Sequence, residues 1–549
     1  MDAVPYREGP RTPHGSVVHR RRWATLIVLC ISLAIIGLDT TVLNVALPTL
    51  QRELSASASE LQWIVDAYTV AFAGLLLLAG ALGDKLGRKR ALLAGLVVFG
   101  ASSVWGALVS SPEQLIAART VMGIGGALIM PSTLSILTNS FTDPSERKKA
   151  IGIWSGVSGI GIAVGPALGG WLLEHFSWPS VFYLNVPVAG LGLVLGLLIV
   201  PESRDVTAPR LDWFGGLLSV AGLTTLVWSI IEAPDRGWTD PVILGGFGVS
   251  LVVLAGFTLW ELRTPHPLLN VRFFTNRRFS IPSISITLVF FALFGSAFFL
   301  SIYLQAVQGH DALGAGIRIL PLAIGMTFGA PLAMAIAQRI GEKIPLFVGL
   351  LLLSASFVVI AGTTEGTGYW RVFNSVLLMG FGMGFAMAPA TEAVMGSLPP
   401  SKAGVGSAVN DTVRQVGGAL GVAVLGSILN SVYADRLSGS AVAGLSPSAA
   451  DAAQDNVQSA LAVAARLPAQ AGDALASTAK SGFIDAMDTT VVVAAVVVAV
   501  GAVVALFLMP HHGQTRPEGL DEADSGPVTD QLGSVTLGTE PESKLEAMR

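Results

Sequence analysis

Runs of apolar residues recur along almost the whole chain, and each is long enough, at about 20 residues, to cross a ~30 Å hydrocarbon layer. Fourteen such runs begin near residues 24, 62, 91, 115, 150, 181, 213, 241, 280, 314, 345, 371, 403 and 484. Only 13% of residues are charged, against about 25% in an ordinary soluble domain. The expected class is therefore an all-α integral membrane protein, and a soluble multidomain chain is excluded. A further feature needs explaining. "IIGLDTTVLNVALP" (35–48) places Asp39 inside the first run, where an ionised carboxylate costs about 2.5–3.5 kcal/mol even on lenient insertion scales.

Several function classes fall away on composition. A net charge of −4, with basic residues scattered over short loops, gives no footprint for nucleic acid. The single cysteine, Cys30, leaves no disulfide framework and no cysteine metal site. None of the seven histidines falls mid-span, so proton chemistry inside the membrane rests on carboxylates, with no metal or cofactor expected. No G-x-x-x-x-G-K-[ST] run is present, which argues against ATP hydrolysis by this chain. "HRRRW" precedes an apolar run from about Ala24 to Leu47. That run is too long for a signal-peptide core and has no small-residue cleavage site, so it reads as an uncleaved first span.

Lysine and arginine set the expected orientation. Arg52, Arg236, Arg371, Arg436, Arg466 and Lys480 fall in one set of loops, and Arg119, Arg318 and Arg414 fall within spans. All the rest of the 33 basic residues lie on the side that carries the N-terminus. The positive-inside rule then makes both termini cytoplasmic. Residues 433–483, rich in Ala, Ser and Asp, are expected to form an external helical cap or loop. From about residue 511, eight acids and three bases among Gly, Pro and Ser predict a disordered tail. An internal repeat is visible: "GALGDKLGRK" (80–89) aligns with "MAIAQRIGEK" (334–343), each ending one span and preceding the next. The expected organisation is a cytoplasmic segment 1–23, a six-helix half 24–201, an inserted helix pair with linkers 202–279, a second six-helix half 280–510, and the tail 511–549. Two such halves with a site between them suit a rocking transporter.

Three motifs carry chemistry. In "GALGDKLGRKRAL" (80–92), Gly80 and Gly87 suit a tight turn, while Lys85, Arg88, Lys89 and Arg90 are ordinary inside charges. Asp84 runs against that bias; an acid here can sit at the positive end of a neighbouring helix, a contact of about 0.3–2 kcal/mol that a gate can make and break. In "GIGIAVGPALGG" (159–170), Gly161, Gly165 and Gly169 form a small-residue stripe, with Pro166 and Gly170 beside it. Packing alone and a hinge between halves both fit. In "LIAARTVMGIGGALIMP", Arg119 lies about a turn from the end of span 4, placed either to snorkel or to meet an acid.

The loop 80–92 closely resembles the loop 2–3 signature of the major facilitator superfamily. The Gly165–Pro166 step with Gly169–Gly170 looks like the antiporter signature of its drug exporters. "LDTTVLNVALP" is similar to the span 1 signature of the fourteen-span drug:proton antiporters, the EmrB/QacA type, and "RLDWFGGLLSVAGLTTLVWSIIEAPDRGW" resembles their inserted helix pair. The likeness spans roughly residues 24–510. It implies the major facilitator fold with 14 spans, a cytoplasmic latch at Gly80, Asp84, Gly87, Arg88 and Lys89, and proton coupling through Asp39 and Arg119. Met122 stands where a glutamine is common in this pattern.

Other acids compete for the proton role. Asp66 in "WIVDAYTVAF" is near the end of span 2, and Asp411 in "NDTVRQVGGALG" has Arg414 three residues on, which also fits a local ion pair. Glu392 in "PATEAVMGSLPP" reads as structural. Tyr68, Phe290, Phe291, Phe298, Tyr303 and Met387 are candidates for an apolar substrate pocket, with packing as the plainer reading of each. The resemblance implies a cell-membrane protein that uses the proton motive force to export lipophilic, cationic drugs or antibiotics; Arg-rich, Lys-poor and Ala/Gly/Val-rich usage points to a bacterial source, and a monomer is expected. A dedicated exporter of an endogenous antibiotic, siderophore or lipid, and a nutrient symporter, are the alternatives.

Overall fold

Hydrocarbon offers the backbone no hydrogen-bond partner, so a chain of this composition has to satisfy its peptide groups within each segment. The computed structural model describes residues 17–56, 58–204, 211–399, 402–438 and 445–510, and among them it is helical with no strand. The N-terminal residues 1–16, residues 439–444, the tail 511–549 and the Phe298 side chain lie outside the described residues.

The helices are α1 (Val17–Glu53), α2 (Ala58–Leu86), α3 (Arg88–Ala107), α4 (Pro112–Ser140), α5 (Pro144–His175), α6 (Ser180–Tyr183), α7 (Asn185–Ile199), α8 (Trp213–Arg236) and α9 (Pro241–Arg263). After them come α10 (Arg277–Ile302), α11 (Ala312–Ile319), α12 (Pro321–Ile340), α13 (Lys343–Ile360), α14 (Tyr369–Gly396), α15 (Ala403–Arg436), α16 (Pro447–Asp455), α17 (Val457–Ala464) and α18 (Ala469–Leu508). Among the described residues fourteen segments are long and apolar enough to span a membrane; α6 with α7 makes one, and α11 with α12 another. Most begin within a few residues of the positions read from the sequence. The fifth begins earlier, at Pro144, because Asp143 caps it by accepting the Glu146 N–H at 2.9 Å. The last begins at Ala469, so the segment 433–483 is largely helical, with Tyr433 Oη donating to the Ala453 carbonyl at 3.2 Å.

The packing repeats. In the first six spans α2 packs on α4, α3 on α4 and α7, and α1 on α5. Eight spans later α12 packs on α14, α13 on α14 and α18, and α10 on α15. The two sets meet through α2 against α15 and α5 against α12, contacts that are each other's counterparts under the same repeat. The pair α8 and α9 lies outside the repeat: α8 packs on α2 and α15, while α9 packs mainly on α8 and is largely exposed. Gly87 and Gly341, which the sequence repeat aligns, both have positive φ, 117° and 84°, at matching turns.

Close helix approach depends on missing side chains. At Gly80 an added Cβ would lie 2.5 Å from the Gly404 carbonyl oxygen on α15. At Gly349 on α13 it would meet the Ala386 amide of α14, whereas at Gly245 on α9 it meets nothing within 4 Å. Gly349→Ala is therefore expected to destabilise by about 1–3 kcal/mol through overpacking. Gly245→Ala should be neutral or stabilising by up to about 1 kcal/mol through helix propensity. Thermal unfolding midpoints of the purified variants check the contrast; equal midpoints would refute it.

Candidate functional site

The sequence directs α1, α2, α4 and α7 toward one buried polar cluster. Ser111 caps α4 by accepting the Gln114 N–H, and Pro112 opens the helix, so Arg119 lies about 10 Å along it, two turns in. Its side chain is 1% exposed and does not snorkel. Arg119 Nη1 meets Asp39 Oδ2 at 2.5 Å, and Nε donates to the Ile64 carbonyl at 3.1 Å. The guanidinium also lies 4.5 Å from the Tyr68 ring centre and 3.8 Å from Met122 Sδ. A sulfur, a weak acceptor, thus takes the position where an amide would be a strong one.

Asp39 has a second partner that sequence reading missed. Asn185, the first residue of α7, donates from Nδ2 to Asp39 Oδ1 at 2.8 Å and lies 3.4 Å from Ser103 Oγ. Both carboxylate oxygens are therefore engaged, which is what a charge at this depth requires. A polar residue inside an otherwise apolar span was the available signal. Asp66 is half-buried on α2, two residues beyond Ile64.

The glycine stripe of α5 packs on the helix that carries Asp39. Gly161 faces Ala34, a Cβ at Gly165 would overlap Thr41 Oγ1, and Gly169 faces Val42. Gly170 instead faces Leu313 of α11, and Gly152 faces Pro331 of α12. Pro166 removes one backbone donor from the middle of this helix. α5 is thus wedged between α1 and the second set of spans.

A second ionic cluster lies where the two sets meet. Asp411 and Arg414 are 0% and 1% exposed, and their closest charged atoms are 3.8 Å apart, so the local pair is loose. Asn410 Nδ2 reaches Asp411 Oδ1 at 3.3 Å, and Arg414 Nη2 lies 3.5 Å from Thr391 Oγ1. Two rings flank the guanidinium, Trp154 of α5 at 4.9 Å and Phe290 of α10 at 5.3 Å.

The face on which α1 begins, rich in basic residues, holds the two sets together by charge. Asp84 accepts the Gly404 and Val405 N–H groups, at the start of α15, at 3.0 and 3.1 Å, and its Oδ1 lies 2.6 Å from Arg88 Nη2. Arg147 Nη2 meets Glu392 Oε1 at 2.8 Å, and Lys148 Nζ meets Glu342 Oε1 at 2.7 Å. Gln338 Nε2 donates to the Ser145 carbonyl at 3.1 Å, the repeat counterpart of the Asp84 contact. Lys89 works within its own set, donating from Nζ to the Leu197 carbonyl at 2.8 Å.

Of the aromatic and methionine candidates, Tyr68 touches the Asp39 cluster and Phe290 the Asp411 cluster. The Phe291 backbone lies against Gly421 of α15. Tyr303 is fully buried, with its hydroxyl donating to the Thr364 carbonyl at 2.8 Å, and Met387 is fully buried on α14.

The pairing of Asp39 with Arg119 makes a stability prediction. Asp39→Asn leaves a buried guanidinium without its counter-ion, at an expected loss of about 3–5 kcal/mol. Asp39→Asn with Arg119→Gln should recover part of that loss, a coupling readable by thermal unfolding of the single and double variants. A double variant as unstable as the sum of the singles would contradict the pairing.

Known proteins agree with this architecture. A family model described as Major Facilitator Superfamily matches residues 29–422. The chain is 35% identical to the tetracenomycin C resistance and export protein of Streptomyces glaucescens, over 89% of this chain and 91% of that one. It is also 35% identical to the multidrug efflux pump LfrA of Mycolicibacterium smegmatis, over 90% and 97% of the two chains. Among solved structures, the human organic anion transporter MFSD10 superposes with a TM-score of 0.57 at 17% identity, covering 89% of this chain and 99% of that one. With fourteen apolar spans, a duplicated packing scheme and these relatives, the chain belongs to the Major Facilitator Superfamily as a multi-pass membrane protein.

Proposed function

We propose that this protein is a proton-coupled antiporter that exports lipophilic, cationic drugs or antibiotics by alternating access. The observation that carries the reading is Asp39, buried at 5% exposure inside a span and held by Arg119 and Asn185 from two other helices. A carboxylate so placed is poised between desolvation, which favours its neutral form, and a cation, which favours its charge. When it takes a proton, Arg119 keeps the Ile64 carbonyl and the Tyr68 ring, which offset part of the lost charge contact.

The working parts divide as the repeat divides the chain, with halves at about 24–201 and 280–510 and α8 and α9 inserted between them. The basic face is cytoplasmic by the positive-inside rule. The ties at Asp84, Arg147, Lys148 and Gln338 then form the cytoplasmic gate, with Gly80 allowing the close approach to α15, Gly87 making the positive-φ turn that follows and Arg88 holding Asp84 in place. In the state closed on this face Asp39 receives a proton from outside. When the gate opens it releases that proton inward and its charge attracts the next cation. Each proton contributes about 2.3 kcal/mol per 100 mV and about 1.4 kcal/mol per pH unit, enough for roughly a hundredfold gradient or more of an uncharged substrate. Asp66 and Asp411 are the further candidates for proton coupling. Tyr68, Phe291, Tyr303 and Met387 are the aromatic and soft side chains offered to substrate, by a single-chain transporter that needs no ATP, metal or cofactor.

A second reading, dedicated export of a compound made by the cell itself, draws on the tetracenomycin C export protein among the relatives. Everted vesicles separate the two. Ethidium uptake that is energised by a proton gradient, abolished by an uncoupler and reduced at least tenfold in Asp39→Asn is the expected result. Equal uptake by wild type and variant would move the proton to another acid. No wild-type uptake would favour the dedicated exporter.

A further inference from the structure

Trp154 has no place in the mechanism above, yet among the described residues it is the largest fully buried side chain, and it lies on the seam between the halves. Its indole Nε1 donates to Thr133 Oγ1 of α4 at 3.3 Å, which fixes the ring within the first half. Its face covers the Arg414 guanidinium, which belongs to the second half, at 4.9 Å. Arg414 is poorly served otherwise. Among the described residues its Nε and Nη1 have no hydrogen-bond partner, and neither does Asp411 Oδ2, although the two residues sit a single turn apart on α15. A fully buried acid and base that leave these atoms unmatched are being held apart, and the ring faces of Trp154 and Phe290 stand in for part of the missing charge contact.

We propose that Trp154 is a positioning residue that keeps Arg414 away from Asp411 while the halves are joined at the basic face, and releases it to Asp411 when they part. The proposal rests on the alternating-access reading and on Asp411 being one of its coupling acids. In the joined state Asp411 has one oxygen without a hydrogen-bond partner and a cation no closer than 3.8 Å, so it accepts a proton arriving from the opposite face. Opening the basic face carries Trp154 away with the first half. The guanidinium then loses one of its two ring partners and turns its unmatched donors to the carboxyl. The Asp411 O–H bond breaks, the proton passes to water on the basic side, and the carboxylate is left paired with Arg414. The arginine acts as an internal displacer, and the tryptophan ties its action to the gate.

Other charges on the elements packed against α15 are engaged elsewhere. Asp84 of α2 holds Arg88 and the start of α15, Glu392 of α14 holds Arg147, and Arg119 of α4 holds Asp39. α10 carries only Arg277 and Arg278, at its first turn, and Arg278 meets Glu342 at 3.5 Å. On α8, Glu232 pairs with Arg236 at the far end, and Asp235 lies between them in sequence. On α18, Asp485 meets Arg436 at 3.4 Å, Lys480 meets Glu365 at 3.8 Å and Asp488 accepts the Gly362 N–H at 2.9 Å; Asp473 lies further toward its start. At the start of α2, Glu60 and Asp66 lie near the opposite face, as does Glu113 on α4 and Arg371 on α14, while Lys85 ends α2 at the basic face.

The test reads opening of the basic face against pH in purified full-length protein in lipid nanodiscs, with spin labels at the exposed positions Lys149 and Arg339 on opposite halves. In Trp154→Leu the guanidinium reaches Asp411 even in the joined state. Pairing then no longer distinguishes the two states, so the pH dependence of opening is expected to weaken and its midpoint to move about one pH unit toward alkali, while Trp154→Phe, which keeps a ring face, stays near wild type. In an Asp411→Asn background the same Trp154→Leu change should move nothing. Trp154→Met, bulky but without a ring face, replaces the leucine variant if that one does not fold. An unmoved midpoint in both ring-deleted variants, or an equal shift in the Asp411→Asn background, would overturn the proposal. Wild-type ethidium uptake by the same purified protein reconstituted into sealed proteoliposomes separates these outcomes from failure of the antiport reading, which would appear as no uncoupler-sensitive uptake at all.

Discussion

A charge cannot stay in hydrocarbon alone, and the Asp39–Arg119 contact is where this chain meets that constraint most strictly. Four helices converge on it: α1 brings the acid, α4 the base, α7 the amide of Asn185 and α2 both a carbonyl and a ring. The glycine stripe of α5 lies against α1 at the same level, because Gly165 leaves room for Thr41. The cluster therefore does two things at once. It makes the acid tolerable, and it fixes the relative positions of the helices of the first half.

The seam between the halves follows a different physical rule. On the basic face it is made of ion pairs and a helix start, at Asp84, Arg147 and Lys148. Such contacts are strong when buried and are replaceable by water when exposed, which is the property a gate needs. Deeper in, the seam is closed by glycine-backed helix contacts and by one aromatic–guanidinium stack. The duplicated packing places these features in related pairs. Asp84 meets the start of α15 as Gln338 meets the start of α5, with a charge in one copy and an amide in the other.

Much of this was legible in the amino-acid order. The fourteen spans follow from hydropathy alone, and the repeat of "GALGDKLGRK" in "MAIAQRIGEK" foretold the matching turns at Gly87 and Gly341. Asp39 announced itself by position, and Arg119 by being a base inside a span. The partners were harder to see. Asn185 is 146 positions from Asp39, and Glu392 is 245 from Arg147, so no local spacing links either pair. Trp154 reads as one more aromatic in an apolar run, and only the fold shows a cation on its face. The segment before the last span was legible in composition but not in extent. Its Ala- and Asp-containing turns continue a helix that hydropathy starts fifteen residues later, at 484 rather than Ala469.

The account's central claim is that Asp39 exchanges a proton for a cation. Proton release can be followed directly, by adding ethidium to purified protein in weakly buffered detergent solution with a pH-indicating dye. Wild type should release protons in proportion to the cation bound, and Asp39→Asn should bind with no release or fail to bind. Equal proton release from wild type and Asp39→Asn would contradict the claim and leave the Asp39–Arg119 pair a purely structural one.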